Sequence, residues 1–421
     1  MSSPRRVLVM LVVAYASLYL CRANVEPAWN LLAVEHGYDN EKTGTVFAIA
    51  LAAYAIGKIV LGAVGDRIGG KNILVAAMTT AVIATLLSGA IDWPAVFGAG
   101  PALWIMGTLV VLNRFGQSGA WGGLLHVVAR WFPSARVGAV MGIASASYDI
   151  GNVVTLALCA GLVALGLGWR ALFVVNPILL GLVTIVTVFA LRASPSETAA
   201  ETKEADEVDR ERFASTVRRL ARERAFWIAI GLSFLLTFVR AGFMTWTPRY
   251  LYEVAAAAGS TSALSGSIAK STFFGIAGMV GSMSTGALSD RAGPGKRGGI
   301  MSASLACLLA AVLVLAHVKM THPLGAAAVI GLAGLFLLGP YSLPAGAVTL
   351  DLAGKRGTAT VAGIVDGAGY AGASLSAFVL GSLSKRYSWS IAFDVVAGVV
   401  AAALVLAFVW WRGARMTRRS T

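Results

Sequence analysis

The chain has 421 residues, of which 57% are hydrophobic and only 13% are charged. A soluble domain carries about 25% charged residues, so this composition excludes an ordinary soluble protein and indicates a polytopic membrane protein. The net charge of +14 does not indicate nucleic-acid binding, because the basic residues concentrate at segment ends and in alternate loops, as membrane topology requires.

Twelve apolar segments are long enough to cross a bilayer as helices, which takes about 20 residues each. They predict an all-α membrane protein, with spans at 7–33, 43–63, 72–91, 102–130, 136–164, 168–191, 226–252, 264–288, 298–318, 323–350, 357–382 and 389–411. The first segment resembles a cleavable signal peptide. Cleavage after Ala16 would leave an uneven repeat, so we expect this segment to be retained as a helix.

One long polar stretch separates the sixth segment from the seventh. Residues 192–225 contain eight acidic and eight basic residues, which is typical of a solvated linker. The predicted domains are therefore a six-helix bundle over 1–191, this linker, and a second six-helix bundle over 226–421. With both termini and the linker in the cytoplasm, that side carries 23 Lys and Arg residues against 6 on the other side. The positive-inside rule thus predicts cytoplasmic termini.

The first segment carries an arginine deep inside an apolar helix. One face has four polar residues at helical spacing, namely Tyr15, Tyr19, Arg22 and Glu26. If the helix starts near Val7, Arg22 lies roughly 22 Å along its axis, well inside a hydrocarbon layer of about 30 Å. Ionisable residues at such depth usually line a substrate path, so Arg22 is a candidate for half of an anion site. Alternatively, Arg22 and Glu26 form only a structural ion pair.

Two motifs recur about 220 residues apart. Gly62-Ala-Val-Gly-Asp66-Arg67-Ile-Gly69 recurs as Gly286-Ala-Leu-Ser-Asp290-Arg291-Ala-Gly293, and Trp169-Arg-Ala-Leu-Phe173 recurs as Trp389-Ser-Ile-Ala-Phe393. The two halves are therefore interpreted as parallel copies of six helices each. This symmetry predicts a partner for Arg22, and Arg240 lies 218 residues downstream, at a depth of roughly 21 Å in the seventh segment. Two guanidinium groups are thus expected to face each other near mid-membrane.

The charged residues inside the segments leave a net positive charge, although Lys270, near the outer end of its segment, is expected to extend towards the membrane surface. The basic residues are Arg22, Lys58, Arg114, Arg240 and Lys270, and the acidic ones are Glu26, Asp149 and Asp366. The excess of two positive charges would balance a divalent anion, and each guanidinium can hold two phosphate oxygens. Arg114 either lines the cavity or pairs with Asp149. Lys58 either lies near the substrate or extends towards the membrane surface.

These motifs resemble the major facilitator superfamily, in which the loops after the second and eighth helices carry the GxxxDRxG pattern. Within it, the chain is similar to the organophosphate:phosphate antiporters in four stretches, which are Tyr19 to Asn24, Ala53 to Lys58, Gln117 with Trp121, and Arg240 to Leu251. The resemblance implies a major facilitator fold of twelve transmembrane helices in two pseudo-symmetric bundles. It also implies that Arg22 and Arg240 bind the substrate phosphate, with Lys58 nearby, and that inorganic phosphate is exchanged.

Several positions depart from the family pattern around the organic part of the substrate. The family has a basic residue where this chain has Ala23, a Trp-Pro-Pro where it has Trp121-Gly-Gly, a histidine where it has Tyr148 and Asp149, and an acid where it has Gly275. No particular sugar or polyol phosphate is therefore transferred from the family to this chain.

We therefore expect a secondary active transporter that carries a phosphorylated organic anion by exchange with inorganic phosphate through alternating access. The expected substrate contacts are Arg22, Arg240, Lys58, Tyr19, Tyr54, Gln117, Trp121, Tyr148, Asp149 and Asp366. The coupling or ion-pair candidates are Glu26, Arg114, Asp149 and Asp366. One alternative is a proton-coupled symporter of a carboxylate or other organic anion, with Glu26, Asp149 or Asp366 taking the proton. Another alternative is a non-transporting sugar-phosphate sensor.

Other functional classes lack their sequence signals. The chain has no Walker-type loop, nucleophile and base pair or metal-ligand spacing, so we expect neither an enzyme nor a cofactor or metal. In the repeated motif, Asp66 and Asp290 are expected to cap helices or pair across the bundle interface as a cytoplasmic gate. The expected partners are an organic phosphate, inorganic phosphate and the bilayer, without nucleic acid. We expect a functional monomer in a bacterial inner membrane.

Overall fold

A computed structural model of the chain describes residues 3–132, 134–193, 221–260, 263–292, 296–343 and 358–417. Every regular element in these ranges is helical. The first half contains α1 (Pro4–Leu18), α2 (Val25–His36), α3 (Asn40–Ile68), α4 (Gly70–Ala90), α5 (Trp93–Phe97), α6 (Ala99–Gln117), α7 (Ala120–Trp131), α8 (Ser134–Ala164) and α9 (Trp169–Ala190). The second half contains α10 (Arg224–Ala257), α11 (Ala263–Ala292), α12 (Arg297–His317), α13 (Pro323–Leu343), α14 (Thr358–Arg386) and α15 (Trp389–Thr417).

Eleven stretches of the described residues are long and apolar enough to cross a membrane. They match eleven of the twelve predicted segments. The remaining segment, predicted over 102–130, is divided into α6 and α7 at Ser118 and Gly119. Its polar residues Asn113, Arg114 and Gln117 lower its hydropathy. Most of the predicted linker, residues 194–220, lies outside the described ranges, so the domain boundaries stay a prediction.

The first transmembrane helix is broken at the position of its arginine, which corrects the expectation of one continuous helix. After α1, a single 3₁₀ turn covers Tyr19–Cys21, and α2 begins only at Val25. Pro27 lies in the first turn of α2, where its missing N–H costs no hydrogen bond. Within a bilayer, backbone groups freed by such a break must find other partners. Side chains of α6 supply them.

Two side-chain amides and one guanidinium of α6 bond to the freed carbonyl groups. Asn113 and Gln117 donate to the carbonyl oxygen of Cys21 at 2.9 and 3.0 Å, and the Arg114 guanidinium donates to that of Arg22 at 3.1 Å. The two broken helices therefore support each other at the same depth. The sequence separation of about 90 residues hides this arrangement from local pattern analysis.

Helices α3 and α14 form a seam between the two halves. They run antiparallel, with Asn40 donating to the Ser384 hydroxyl at 3.1 Å and the Ser374 hydroxyl donating to the carbonyl oxygen of Ala48 at 2.8 Å. Glu41 and Arg386 form an ion pair at the same end. Because α1 and α2 carry the chain from its N-terminus across the membrane to α3, these contacts lie on the face opposite the termini. The halves are therefore held together on that face.

Helices α8 and α11 join the halves a second time. Ile268 of α11 packs in one apolar cluster with Leu156 and Cys159 of α8. Nearer the middle of the two helices, Gly275 of α11 packs closely against Val153 of α8. A Cβ added to Gly275 would lie 3.4 Å from a methyl carbon of Val153. The two helix pairs, α3 with α14 and α8 with α11, flank the space between the halves.

The repeated motif lies at the ends of α3 and α11 on the termini face. Gly69 links α3 to α4 with φ +89°, a left-handed backbone conformation that favours glycine, and its N–H donates to the Gly65 carbonyl at 2.8 Å. Arg67 and Arg291 are exposed, and a Cβ at Gly62 or Gly286 would meet open space. The side chains of Asp66 and Asp290, and Gly293, lie outside the described part of the chain. The gate assigned to this motif thus stays a prediction.

Candidate functional site

A cavity of about 110 Å³ lies between the two halves. A single water needs about 10–15 Å³ in such a cavity, so it has room for several waters or for a small organic anion. The first half contributes Tyr19, Arg22, Glu26, Leu51, Tyr54, Arg114, Asn152 and Leu156 among others. The second half contributes Thr237, Arg240, Met244, Thr245, Thr247, Ser271, Phe274 and Tyr370 among others. The two arginines predicted from the internal repeat therefore line one cavity.

Arg22 is positioned by three side chains. Its Nε donates to Gln117 Oε1 at 3.0 Å, one terminal nitrogen donates to the Tyr54 hydroxyl at 3.1 Å, and the other donates to the Tyr19 hydroxyl at 3.5 Å. The guanidinium carbon lies 4.7 Å from the Tyr54 ring centre and 5.1 Å from that of Tyr19. Gln117 is fully buried and also donates to the Cys21 carbonyl. Arg22 is therefore fixed in direction by the helix break itself.

Arg240 occupies the corresponding position in the continuous helix α10. One terminal nitrogen donates to the Tyr341 hydroxyl at 3.4 Å. The guanidinium carbon lies 4.7 Å from the Tyr341 ring centre and 5.6 Å from that of Tyr148, which belongs to the other half. The buried Nε has no hydrogen-bond partner within the described ranges. Unlike Arg22, Arg240 thus keeps unused donor capacity in a buried position.

The two guanidinium groups share one electrostatic environment. Each lies between two tyrosine rings, which stabilise a cation through their faces without neutralising it. Among the side chains that the structure describes, neither guanidinium forms an ion pair with a carboxylate. The start of α2, where backbone N–H groups favour negative charge, follows Arg22 directly. The cavity therefore has a surplus of positive charge that suits an anion.

Lys58 and Asp366 form an ion pair across the seam, close to the cavity. The Lys58 ammonium lies 4.6 Å from the ring centre of Tyr370, and the rings of Tyr54 and Tyr370 are 4.6 Å apart. Lys58 therefore does not extend to the membrane surface. Neither charged residue belongs to the cavity wall, so direct substrate contact by these two residues stays a prediction. The ion pair and the contact between the tilted rings of Tyr54 and Tyr370 link the halves on the termini side of the arginines.

Arg114 and Glu26 form a second buried pair. The Arg114 guanidinium donates to Glu26 Oε1 at 2.8 Å, and both side chains line the cavity. This contact overturns two hypotheses, the pairing of Arg114 with Asp149 and the pairing of Arg22 with Glu26. The physical reason is the helix break, which turns Arg22 towards Gln117 and brings α6 against the start of α2. Both pairs cancel their own charge, and Arg22 and Arg240 have no ion-pair partner among the described side chains.

The remaining predicted residues do not belong to the cavity wall. Trp121 packs edge-on against Tyr15, with ring centres 5.1 Å apart. Tyr148 covers Arg240, and the adjacent Asp149 is half-buried and interacts electrostatically with Arg240. Gln117 supports Arg22 from behind. These positions fit roles in holding the arginines, and their contact with substrate stays a prediction.

Sequence reasoning missed several residues of the site. Tyr341 bonds to Arg240 without belonging to the cavity wall, and its signal was the single tyrosine of the tenth segment, just after Pro340. The hydroxyl and amide groups of Asn152, Ser271 and Thr247 gave no signal, because isolated small polar residues are common in transmembrane helices. Only the folded arrangement shows that they share a wall with the arginines.

Comparison with known sequences finds one matching family and relatives that are named as transporters or exchangers. The profile of the Major Facilitator Superfamily matches residues 11–377. A "Putative glycerol-3-phosphate transporter 1" of Arabidopsis thaliana is 27% identical, with 87% of this chain and 75% of the relative covered. The "Glycerol-3-phosphate transporter" of Bacillus subtilis (strain 168) is 25% identical over 97% and 93%. The human "Sugar phosphate exchanger 3" is 24% identical over 83% and 76%.

Solved structures show the same fold. A bacterial homologue of the human lysosomal transporter Spinster, in an inward-facing and unoccupied conformation, superposes with a TM-score of 0.77 at 13% identity, covering 97% of each chain. A variant of the nucleoside transporter NupG gives 0.75 at 14% identity, covering 97% of this chain and 99% of that one. At these identities the likeness concerns the fold alone. It agrees with the predicted all-α architecture.

Proposed function

Since the chain belongs to the Major Facilitator Superfamily, we propose that it is a secondary active transporter that exchanges a phosphorylated organic anion for inorganic phosphate. Superfamily membership and transporter-named relatives confirm the expectation of a multi-pass membrane transporter rather than an enzyme, and the resemblance to the organophosphate:phosphate antiporters. The observation that carries the substrate assignment is the pair Arg22 and Arg240, one from each half, lining one cavity without a carboxylate partner among the described side chains.

The chemistry of phosphate fits this pair. A phosphomonoester dianion presents three terminal oxygens, and each planar guanidinium can bind two oxygens through parallel charge-assisted hydrogen bonds. Arg22 uses its nitrogens partly on tyrosine hydroxyls, while Arg240 retains a free Nε in the described structure. A dianion between them would satisfy this donor and cancel the two uncompensated charges.

The same charges explain obligatory exchange. An empty transporter would have to pass through a state in which the site is closed to both sides of the membrane. In that state two unneutralised guanidinium groups would be desolvated, which costs much free energy. A bound dianion removes that cost and lowers the barrier to rocking of one half against the other. Return of the carrier therefore requires a second anion, and inorganic phosphate is the simplest one with the same binding group.

In this proposal the termini face is cytoplasmic, in a bacterial inner membrane, and the bundles span 1–191 and 226–421. The excess of Lys and Arg on that side supports the orientation. The seam of α3 with α14 then closes the outer side, with the Glu41 and Arg386 pair at its end. The substrate would enter from the cytoplasm or the outside according to which face is open.

Purified protein in liposomes loaded with unlabelled phosphate tests the proposal. We expect saturable uptake of labelled phosphate that stops when the internal phosphate is omitted, and inhibition by external phosphomonoesters. Uptake that needs an imposed pH gradient and no internal phosphate would instead establish the proton-coupled symporter. Binding of phosphomonoesters without any uptake would establish the sensor.

The pair Lys58 and Asp366 gives a second prediction. Lys58→Ala leaves a negative charge beside the phosphate site, so we expect at least about a tenfold higher half-saturation concentration for phosphate. Asp366→Ala leaves an extra cation there, so we expect tighter binding with slower turnover. The charge-swapped double variant Lys58→Asp with Asp366→Lys should recover part of the wild-type rate. Initial rates of phosphate exchange over a range of concentrations measure both effects.

Lys270→Ala is the matched control, because Lys270 bonds to the Gly266 carbonyl on its own helix, at 3.4 Å. If the swapped variant were no better than either single variant, the two residues would not act as a pair.

A further inference from the structure

We infer that Glu26, held by Arg114, selects the organic part of the substrate, accepting a neutral hydroxyl group and excluding a second acidic group. This inference rests on the proposed function, because it presumes that the phosphate lies between Arg22 and Arg240. It assigns a specificity role to a residue that the ion-pair interpretation had treated as structural.

Glu26 presents its carboxylate to the same cavity as the arginines. Its Oε1 accepts from Arg114 at 2.8 Å, and an ionised carboxylate has further lone pairs with which it can accept hydrogen bonds from a ligand. The Glu26 side chain is 16% exposed, and at this depth its exposed part faces the cavity. Arg22 and Glu26 line the cavity together, and the Arg114 guanidinium bonds both to the Arg22 carbonyl and to Glu26. A ligand with phosphate on Arg22 would therefore place its next atoms beside this carboxylate.

The opposite wall offers an independent sign of a ligand. Thr247 lines the cavity and is only 4% exposed, and its hydroxyl has no hydrogen-bond partner in the described structure. It lies seven residues beyond Arg240 on α10, about 10 Å along the axis. Buried hydroxyl groups are nearly always bonded, so a ligand that reaches from the arginines towards Thr247 would satisfy it. Ser271 and Asn152 line the same space.

The charges of this wall determine which organic group fits. Arg114 already neutralises Glu26, so the wall has no net charge to offer an ammonium group. The second carboxylate oxygen is still a strong acceptor and suits a hydroxyl donor. A carboxylate on the ligand would instead lose its hydration beside the Glu26 oxygens, which accept hydrogen bonds but cannot donate one to it. The wall therefore favours hydroxylated phosphomonoesters over phosphorylated acids.

Three phosphomonoesters of equal carbon number test this selection as competitors of labelled phosphate exchange. They are glycerol 3-phosphate, propyl phosphate, which lacks hydroxyl groups, and 3-phosphoglycerate, which carries a carboxylate. We expect inhibition to fall in that order for the wild-type chain, with at least about a tenfold gap between the first and the last, since hydrogen bonds to charged groups have that effect. Each inhibition constant is divided by the same variant's half-saturation constant for phosphate, so that a change in phosphate affinity alone does not alter the comparison.

Glu26→Gln should reverse the preference. It leaves Arg114 uncompensated in the cavity, so the normalised inhibition by 3-phosphoglycerate should improve about tenfold or more relative to glycerol 3-phosphate. The double variant Glu26→Gln with Arg114→Gln should lose this gain. Glu35→Gln, the same change at the far end of α2 on a 59% exposed side chain, is the matched control and should keep the wild-type order.

Thr247→Val provides a second route if Glu26→Gln does not fold. It removes only the hydroxyl and should narrow the gap between glycerol 3-phosphate and propyl phosphate. If the normalised inhibition constants of the three competitors kept their wild-type ratios in both variants while phosphate exchange continued, the inference would be overturned and the proposed function would stand. Absence of phosphate exchange in the wild-type chain would overturn the proposed function instead.

Discussion

Arg22→Lys and Arg240→Lys are each expected to lower phosphate exchange by at least about a hundredfold. A lysine keeps the charge but replaces a planar fork with a single point donor. One lost charge-assisted hydrogen bond costs about 1.5–3 kcal/mol, and each variant loses the second bond of a bidentate contact together with its fixed direction. The lost bond and the lost direction together bring the cost to the roughly 2.7 kcal/mol that corresponds to a hundredfold change. Initial rates of labelled phosphate exchange in liposomes, corrected for inserted protein, measure the effect.

The two variants should differ in stability. Arg22→Lys also leaves Gln117 and the Tyr54 hydroxyl without their guanidinium partner, so it should lower the thermal midpoint more than Arg240→Lys does. Arg249→Lys is the matched control on the helix of Arg240, because Arg249 pairs with Glu253 at 2.7 Å outside the cavity. Robust exchange in both site variants would contradict the assignment of the phosphate site.

The number and order of the transmembrane segments follow from sequence because hydrophobic length is a local property. The position of Arg240 also follows, because the internal repeat relates it to Arg22. The break at Tyr19 to Asn24 does not follow, because the apolar pattern continues through it. What stabilises the break is Asn113, Arg114 and Gln117 on another helix, and hydropathy carries no information on such long-range partners.

The sequence predicted the number of unbalanced charges inside the segments but not which charged residues form pairs. The excess of two positive charges came from a simple count, and in the described structure Arg22 and Arg240 are the two arginines of the cavity without an ion-pair partner. The partners Lys58 with Asp366 and Arg114 with Glu26 are 308 and 88 residues apart. Their choice depends on the register of α3 against α14 and on the rotation of α6. Neither quantity is encoded in a single segment.

The seam of α3 with α14 connects the site to the face opposite the termini. Going from that face inwards, it passes from Asn40 and Ser384, through a close approach of Gly44 and Gly381, to the ring pair of Tyr54 and Tyr370. Tyr54 also bonds to Arg22. A movement that separates the seam at its outer end therefore changes the surroundings of the arginine. These continuous contacts would couple opening and closing of the outer face to the phosphate site, as alternating access requires.

Gly381→Ala is expected to prevent closure of this seam and to lower phosphate exchange by at least about tenfold. A Cβ at Gly381 would lie 2.5 Å from the carbonyl oxygen of Asn40 and 2.7 Å from a ring carbon of Trp246. The first contact is with backbone, so α3 must move away from α14. Overpacking of this kind costs about 1–3 kcal/mol, and it acts only on the conformation with this face closed. The carrier should therefore accumulate with this face open.

Spectroscopic distances separate this effect from simple misfolding. Spin labels at Lys42→Cys and Lys385→Cys, two exposed positions at the outer ends of α3 and α14, should move further apart in Gly381→Ala than in the parent chain. Alanine favours helix formation over glycine by about 1 kcal/mol, so any loss of exchange cannot come from a weakened α14. Gly398→Ala is the control, because a Cβ there meets nothing within 4 Å. If Gly381→Ala exchanged phosphate at the control's rate with an unchanged label distance, the seam would not be the closing surface of this face, and the path from the outer contacts to Arg22 would have to run through α8 and α11.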